Sequence, residues 1–399
     1  MIINDCFKIR SLILSTTLVI SLGFVTPATA EEVDFRRAYL VDLNTRTATP
    51  IGFSDEHSSY VGGINNTGQV VGWSDTAEGS HNAFITAANG MGIKDFSNLG
   101  SRSEANAIND AGRAVGFFEK GVRRAFIADQ DGVGVSPLGT LGGPYSQASG
   151  INEAGQVVGW SNVAEGIYPN DVYNHESPNP PSHAFITGAN GVGMRDLGTL
   201  GGRFSYAYDI NEIGQVAGTS YTVDQDPYSP HAFITAPNGI GMRDLGTLGG
   251  RYSQAEAIND AGQVVGMSLP DYGDWHAFIT GPDGTGMRNL GTLSPGSWGG
   301  GHSEAHDINN MGQVVGSSVA SVVNFKEQWH AFITGPDGAG MTDLNSLIEL
   351  PEGVILTDAR GINDNGQVIA IGVPEPETYA LMLAGLGLIG FMARRKKAV

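Results

Sequence analysis

The chain has 399 residues, 58 of them glycine, and carries a formal net charge of −19 at pH 7. A surface this acidic repels nucleic acid and anionic lipid, so nucleic-acid binding is excluded as a main role. The one cysteine, Cys6, lies near the N-terminus. The fold therefore has to be held together by its core and not by disulfides.

Residues 1–30 have the pattern of a secretory signal peptide. Two basic residues precede an apolar run from Leu12 to Val25, and small residues follow it at Ala28 and Ala30. This order is typical of a segment that is cleaved after export. The alternative is an uncleaved anchor, which the short apolar run disfavours.

Residues 31–372 are predicted to form one repeat domain, and the stretch from His231 to Gly266 shows the repeat most clearly. It begins with the aromatic and β-branched run HAFIT, which Asn238-Gly239 follows as a hairpin signal. A second hairpin has Gly262 where a positive φ is needed. Because no apolar stripe with helical spacing occurs, we expect four short strands in each repeat.

Two residue pairs, Ile-Asn and Ala-aromatic, each occur seven times. Successive Ala-aromatic pairs are 42 (Ala83 to Ala125) to 59 (Ala125 to Ala184) residues apart, a spacing typical of propeller blades. The chain opens with an HAF-type hairpin and closes with an Ile-Asn hairpin, which would together complete one blade. We therefore predict an all-β, seven-bladed propeller of four-stranded blades, closed by N-terminal and C-terminal half-blades. The alternative is an open, spiralling stack of hairpins.

The runs HAFIT, DLGTLGG and IN-x-x-GQVVG resemble those of the extracellular HAF-repeat proteins over nearly all of residues 35–372. The resemblance implies an extracellular location and this architecture, and it carries no activity. The histidine of the run is present at His183, His231, His276 and His330. A shared zinc site is not expected, because equivalent positions on the third strands of neighbouring blades would lie about 9 Å apart, whereas ligands of one zinc ion lie within about 4 Å.

The strand before each Ile-Asn pair predicts the binding site. If this strand is innermost, its variable polar residues line the central channel, with tyrosine faces for sugar rings and polar groups for directed hydrogen bonds. The predicted ligand-binding residues are Tyr60, Glu104, Gln147, Tyr206, Tyr208, Gln254, Glu256, Glu304, His306, Asp358 and Arg360. The hydroxyl five positions before each isoleucine is expected to satisfy backbone groups instead; these residues are Ser59, Ser103, Ser146, Ser205, Ser253, Ser303 and Thr357.

Loop lengths distinguish the two faces of the predicted ring. The loop between the second and third strands varies in length and is longest from Asn162 to Ser182. In a propeller it shares a face with the blade-to-blade connections, while the tight turns lie on the other face. Variable loops on a constant scaffold are common binding surfaces, although this loop could also be a tolerated insertion without a role.

Residues 373–399 combine three parts. Pro374-Glu375-Pro376 precedes an apolar segment from Tyr379 to Ala393, and a basic cluster follows at Arg394, Arg395, Lys396 and Lys397. This order resembles the PEP-CTERM sorting signal of Gram-negative bacteria. The resemblance implies an exosortase-type processing enzyme as a partner, a transient anchor in the inner membrane, and a final location at the cell surface or outside the cell. A helix of the apolar segment would rise about 22 Å, less than the roughly 30 Å hydrocarbon core, as suits a temporary anchor. The alternative is an ordinary C-terminal membrane tail.

The sequence contains no nucleophile elbow, HExxH motif or phosphate loop. We therefore expect no catalytic residues, and a binding or structural role associated with exopolysaccharide or biofilm. One alternative is a polysaccharide-active enzyme, a glycan hydrolase or lyase, in which glutamates and His306 would supply acid and base. Another is an ice- or surface-binding protein. No cofactor is predicted; calcium stays open through turn residues such as Asp129 and Asp131, whose spacing matches no dedicated calcium loop.

Overall fold

A computed structural model describes residues 36–52, 58–76, 79–96, 99–132, 134–164, 180–222, 229–294, 301–323 and 326–374. The predicted signal peptide, the sorting segment after Pro374 and most of the Asn162–Ser182 loop lie outside the described residues. The regular structure of the described residues consists of β-strands and single 3₁₀ turns. Within these ranges, no helix has the length and apolar content needed to cross a membrane.

The strands form seven antiparallel four-stranded sheets. Two strands open the chain: β1 (Arg37–Asp42) and β2 (Thr47–Ile51). The first three complete blades are β3 (Ser59–Ile64), β4 (Val70–Asp75), β5 (His81–Thr86) and β6 (Ile93–Asp95); β7 (Arg102–Ile108), β8 (Ala114–Lys120), β9 (Val122–Ala128) and β10 (Val135–Gly139); and β11 (Gly142–Ile151), β12 (Val157–Val163), β13 (Ser182–Thr187) and β14 (Met194–Gly198).

Three further blades and a closing hairpin follow. The blades are β15 (Gly201–Ile210), β16 (Val216–Thr222), β17 (Pro230–Ala236) and β18 (Ile240–Asp244); β19 (Gly249–Ile258), β20 (Val264–Pro270), β21 (His276–Gly281) and β22 (Thr285–Gly291); and β23 (Ser303–Ile308), β24 (Val314–Val323), β25 (Lys326–Thr334) and β26 (Met341–Asp343). The hairpin is β27 (Val354–Ile362) and β28 (Gln367–Pro374). The 3₁₀ turns are Ala88–Gly90, Gln130–Gly132, Ala189–Gly191, Pro237–Gly239, Pro282–Gly284, Pro336–Gly338 and Leu344–Ser346.

The two chain ends build one blade, in the order β2-β1-β28-β27. β1 pairs with β28 from Arg37↔Gly372 to Asp42↔Gln367. β27 and β28 in turn contact β3 of the first complete blade. The predicted seven-bladed propeller is therefore confirmed, and the ring is closed as the half-blade pattern predicted.

The hydrophobic core is divided into seven clusters, one at each interface between neighbouring blades. The phenylalanine of the third strand is fully buried in six blades, and Tyr39 takes its place in the closing blade at 4% exposure. Burial of one such side chain contributes about 2–3 kcal/mol. The cluster that joins Ala38, Leu40 and Ile369 to Phe84 seals the ring.

Short polar residues bind neighbouring blades to one another. Ser205 Oγ accepts the backbone N–H of Ala184 in the preceding blade at 2.8 Å and donates to the carbonyl of Gly198. Four other serines of the predicted hydroxyl set accept the same bond at 2.9–3.0 Å: Ser103, Ser146, Ser253 and Ser303. These hydroxyls satisfy backbone groups, as predicted.

Glycine is required at two places in each of the six complete blades. Asn238 (φ 57°) and Gly239 (φ 65°) both adopt the left-handed conformation in their tight turn, as the hairpin signal predicted. In the second strand, a Cβ on Gly218 would lie 2.1 Å from the carbonyl oxygen of Tyr206. Gly249 and Gly250 are the first residues of β19, an innermost strand of ten residues.

Candidate ligand-binding channel

A cavity of about 680 Å³ lies on the axis of the ring. Every innermost strand contributes to its wall, together with residues from β9 and β12. The lining residues are Val61, Gly62, Asn106, Arg123, Gln147, Ser149, Trp160, Tyr206, Tyr208, Glu256, His306 and Arg360. Most of these side chains are polar, so the cavity suits a ligand that is rich in hydrogen-bonding groups.

A β-bulge in the innermost strands determines which side chains reach the cavity. In β15, Ala207 pairs with Gly218 and Asp209 pairs with Ala217, so Tyr208 is the extra residue. The same shift follows Ala105, Ala148, Ala255, Ala305 and Ala359 in other blades. Such a bulge bends the strand and redirects its side chains. It recurs at the level where each blade supplies a residue to the channel wall.

One part of the wall is aromatic and basic. Trp160 and Tyr206 meet edge to face, with ring centroids 6.2 Å apart. Arg123 stacks over Phe117 at 4.1 Å and donates to Gln147 Oε1 at 3.1 Å. Its charge is balanced by Glu119, which accepts from Arg123 Nη2 at 2.8 Å. This part therefore offers flat aromatic surface and amide groups without an unbalanced charge.

Three successive blades place Tyr208, Glu256 and His306 at the same position of their innermost strands, with Glu256 in the middle blade. Burial raises the pKa of the Glu256 carboxyl, and the charge of Glu304 adds to the rise, while His306, Gln254 and Arg360 oppose it. Burial also raises the pKa of the Tyr208 hydroxyl, with Glu256 as the next cause. Both groups consequently favour their neutral, proton-bearing forms more than they would in water.

Asp358 lies behind this part of the wall and stays ionised. Burial opposes its ionisation, but His306 and Arg360 outweigh burial and lower the pKa of Asp358 to about 2. His306 Nε2 lies 3.1 Å from Asp358 Oδ1, and Arg360 contacts the other carboxylate oxygen. Nearby, His302 Nε2 lies 3.0 Å from Glu304 Oε1, and this contact lowers the pKa of Glu304. The ion pair between Arg360 and Asp358 and these two histidine–carboxylate contacts thus hold the side chains around the cavity in place.

A ring of asparagines surrounds the tight-turn end of the channel. Each Asn of an Ile-Asn pair donates from Nδ2 to the backbone carbonyl of the equivalent Asn in the next blade, at 2.9–3.3 Å, and the seventh donates back to the first. The members are Asn65, Asn109, Asn152, Asn211, Asn259, Asn309 and Asn363, all buried. The repeated Ile-Asn pair is visible in the sequence, but its spacing alone predicts no role for the asparagine.

Two aspartates lie between this ring and the cavity. Asp209 accepts from the backbone N–H groups of Ile210 and Ile258, and Asp307 makes the equivalent bonds with Ile308 and Ile362. Burial raises the pKa of Asp209 to about 6 and that of Asp307 to about 7. The charges of Asp260 and Asp209, respectively, contribute to the two rises.

The structure divides the eleven predicted ligand-binding residues into two groups. Six line the cavity: Gln147, Tyr206, Tyr208, Glu256, His306 and Arg360. The others are held by contacts in the surrounding wall. Tyr60 stacks on Trp73 at 4.0 Å, Glu104 binds Arg102, Gln254 binds Glu256, Glu304 binds His302 and Asp358 binds His306. Sequence reasoning missed Arg123 and Trp160, because they lie on the third and second strands.

The repeated histidines make contacts within their own blades. His183, His231 and His330 each place Nδ1 2.7–2.8 Å from an aspartate of the fourth strand, and His276 meets Asn289 instead. In the parts of the chain that the structure describes, no three His, Cys, Asp or Glu side chains come together in a way that could hold a metal ion.

Several solved structures are similar to this chain at low sequence identity. An oligogalacturonate lyase from Vibrio parahaemolyticus has a TM-score of 0.51 at 11% identity, over 86% of this chain and 98% of the lyase. A putative TolB from Agrobacterium tumefaciens has a TM-score of 0.46 at 11% identity, over 86% and 99%. TolB from Acinetobacter baumannii has a TM-score of 0.43 at 13% identity, over 86% of this chain and 64% of that protein. The similarity to the lyase concerns the fold alone.

No curated protein matches the chain in sequence. Residues 372–396 match the PEP-CTERM protein-sorting motif, in agreement with the sequence prediction for this end of the chain. The chain therefore carries the sorting signal of an exported protein that is anchored transiently in the membrane and processed by an exosortase.

Proposed function

We propose that this exported protein is a non-catalytic component of the cell surface or extracellular matrix that binds exopolysaccharide in its axial channel. The observation that carries the proposal is the polar cavity of about 680 Å³, to which all seven blades contribute. Trp160 and Tyr206 offer apolar faces to sugar rings, and Gln147, Asn106 and Ser149 offer neutral hydrogen-bonding groups.

The charge arrangement favours an uncharged, hydroxyl-rich ligand over a strongly ionic one. Arg123 is paired with Glu119, and Arg360 with Asp358. A strongly anionic or cationic ligand would have to compete with these partners for the wall's charges. A sugar hydroxyl can instead donate to or accept from paired groups without separating them.

The test measures binding of the purified protein to the host's extracellular polysaccharide. The variant Trp160→Ala with Tyr206→Ala should weaken binding about tenfold or more, since each lost aromatic contact is worth about 1 kcal/mol. Tyr272→Ala is the control, because Tyr272 is 93% exposed on the same face but outside the cavity. Unchanged binding by the double variant, with a melting temperature close to that of the parent, would contradict the proposal.

A second candidate is a glycan hydrolase or lyase, which the pKa contrast between Glu256 and Asp358 favours. A carboxyl with a raised pKa can donate a proton while one with a lowered pKa stays ionised, and glycosidases use such a pair. Incubation with the same polysaccharide distinguishes the candidates. New reducing ends or unsaturated products that disappear in Glu256→Gln would establish the enzyme instead of the binding protein.

The ice- or surface-binding alternative would need a regular threonine surface, and the HAFIT strands do not provide one. The HAFIT threonines Thr86, Thr187, Thr235, Thr280 and Thr334 are buried at 2–3% exposure. Each accepts a hydrogen bond from a backbone N–H of the second strand. They therefore present no regular threonine surface.

A further inference from the structure

A second cavity, of about 370 Å³, lies on the tight-turn face between the sixth complete blade and the closing blade. The polar side chains of this turn-face groove are Arg46, from the turn between β1 and β2, and Gln313, Thr342 and Ser346, from the sixth blade. Its volume falls within the range of about 300–1,000 Å³ that is usual for small-molecule sites. The groove is separate from the axial channel, with which it shares no lining residue.

An arginine of the fourth strand fills the equivalent place at three other interfaces. In the third, fourth and fifth blades, this arginine pairs in register with the isoleucine of the third strand and donates from Nη2 to a backbone carbonyl in the turn of the next blade. The donors are Arg195, Arg243 and Arg288. In the sixth blade Thr342 takes this position, opposite Ile333. Its side chain is too short to reach across, so the groove stays open.

The glutamine before the second strand also meets a different neighbour at this interface. In two blades it donates from Nε2 to the turn aspartate of the next blade at 3.2–3.3 Å: Gln215 to Asp283 and Gln263 to Asp337. Gln313 holds the same position, and its Oε1 accepts from Asn309 at 2.9 Å. Asn44 in the turn of the closing blade bonds instead to the carbonyl of Asn365. Among the described residues, Gln313 Nε2 therefore has no partner.

Arg46 brings a guanidinium group to the same groove. Its φ of 58° lies in the left-handed region, where every other non-glycine residue of the described chain is Asn or Asp. Arginine is disfavoured in this conformation, and such exceptions concentrate at functional sites. The backbone carbonyl of Arg46 accepts from Glu349 N at 3.0 Å. Its guanidinium has no ion pair or hydrogen bond with any residue that the structure describes.

We propose that the turn-face groove binds a small carboxylate ligand of about the size of a sugar acid. A guanidinium group binds a carboxylate through two parallel hydrogen bonds. The amide of Gln313 donates to the same carboxylate, as its equivalents do to Asp283 and Asp337. The hydroxyls of Thr342 and Ser346 border the cavity and accept hydrogen bonds from the hydroxyls of the ligand.

The first test measures binding of D-glucuronate by isothermal titration calorimetry, with D-glucose as the uncharged ligand control. The purified protein should bind D-glucuronate saturably and D-glucose not measurably. Arg46→Asn should weaken binding about tenfold or more, because it removes the charge-assisted pair. Asparagine tolerates the positive φ, so the fold should be retained. Lys120→Asn removes the same charge from an exposed residue at the end of β8, near the opposite face, and should leave binding unchanged.

A second variant tests the amide of Gln313. Gln313→Glu keeps the oxygen that Asn309 bonds and replaces the Nε2 donor with an oxygen, so binding should weaken by a similar factor. Gln156→Glu makes the same exchange in the third blade, where the equivalent bond to the side-chain oxygen is 2.9 Å long, and should leave binding unchanged.

Three results would overturn the proposal. The first is equal binding by the parent and Arg46→Asn, and the second is an equal loss in Arg46→Asn and Lys120→Asn. The third is a parent protein that binds D-glucose as tightly as D-glucuronate. The channel variant Trp160→Ala with Tyr206→Ala should bind D-glucuronate like the parent, so this test is independent of the proposed function. A loss in that variant, with none in Arg46→Asn, would place the carboxylate in the channel instead.

Discussion

The two ends of the innermost strands have the same backbone and opposite side-chain patterns. At the tight-turn end, asparagine occupies the same position in all seven blades and makes the same bond to the next blade. At the mouth, the seven equivalent positions hold Tyr60, Glu104, Gln147, Tyr206, Gln254, Glu304 and Asp358. The asparagines at the tight-turn end hold neighbouring blades together, whereas the residues at the mouth can differ between blades without disrupting the ring.

The chemistry of each end explains this division. A buried asparagine has to satisfy both its carbonyl and its amide group, and the turn of its own blade together with the next blade satisfies both in one geometry. Asn211, for example, accepts from Gln215 N and donates to Gln215 Oε1 and to the carbonyl of Asn259. At the mouth, Gln147 and Tyr206 line the cavity, where water can satisfy what the protein does not, and the other five positions are held by contacts in the surrounding wall.

Loss of ring closure should have the largest effect on this arrangement. Deletion of residues 31–52 removes β1 and β2, exposes the edge of β28 and removes five buried apolar side chains: Ala38, Tyr39, Leu40, Val41 and Ile51. We expect a loss of about 6 kcal/mol or more, enough to abolish cooperative folding in many domains. Deletion of residues 165–179, between β12 and β13, is the control and should change the melting temperature little. Similar melting temperatures for the two deletions would contradict the importance of closure.

An amide-to-carboxylate exchange compares the two ends directly. Asn211→Asp removes two amide hydrogen bonds, of 2.8 and 3.1 Å, from a buried site and introduces an acid beside a carbonyl. We expect a cost of about 3 kcal/mol in the free energy of unfolding. Gln147→Glu makes the same exchange at the mouth beside Arg123, and should stay within about 0.5 kcal/mol of the parent. Denaturant unfolding measures both, and equal costs would remove the distinction between the ends.

The aspartates between the two ends should make the stability of the fold depend on pH. The folded-state pKa values of Asp209 and Asp307, about 6 and about 7, lie above the ordinary value of 3.8. The folded protein therefore binds more protons than the unfolded chain between about pH 4 and pH 7, and its stability falls as the pH rises through this window.

The control for this dependence comes from the repeat itself. Ala107 and Ala257 occupy the equivalent positions of other blades, so Asp209→Ala with Asp307→Ala is compatible with the backbone. Melting temperatures measured from pH 5 to pH 8 should fall for the parent and stay nearly level for the double variant. An unchanged slope in the variant would assign the pH dependence to other groups.

Sequence periodicity was sufficient for the propeller. Seven Ile-Asn pairs, seven Ala-aromatic pairs and a half-repeat at each end specify the number of blades and the closing hairpins, since strand pairing follows local alternation and turn residues. Six of the eleven predicted binding residues line the cavity because the innermost strand could be recognised from the same pattern. The sorting motif, likewise, is read from contiguous residues.

Tertiary structure decided what depends on distances between blades. The alternation of apolar and polar residues along β9 and β12 does not reveal that Arg123 and Trp160 reach the axis. The direction of these side chains depends on the twist of the blade and on the bulge in the innermost strand. The pairing of Asp358 with His306, from different blades, is equally invisible in one repeat. The asparagine ring exists only when seven blades close, because each member bonds to a residue more than 40 positions away in sequence.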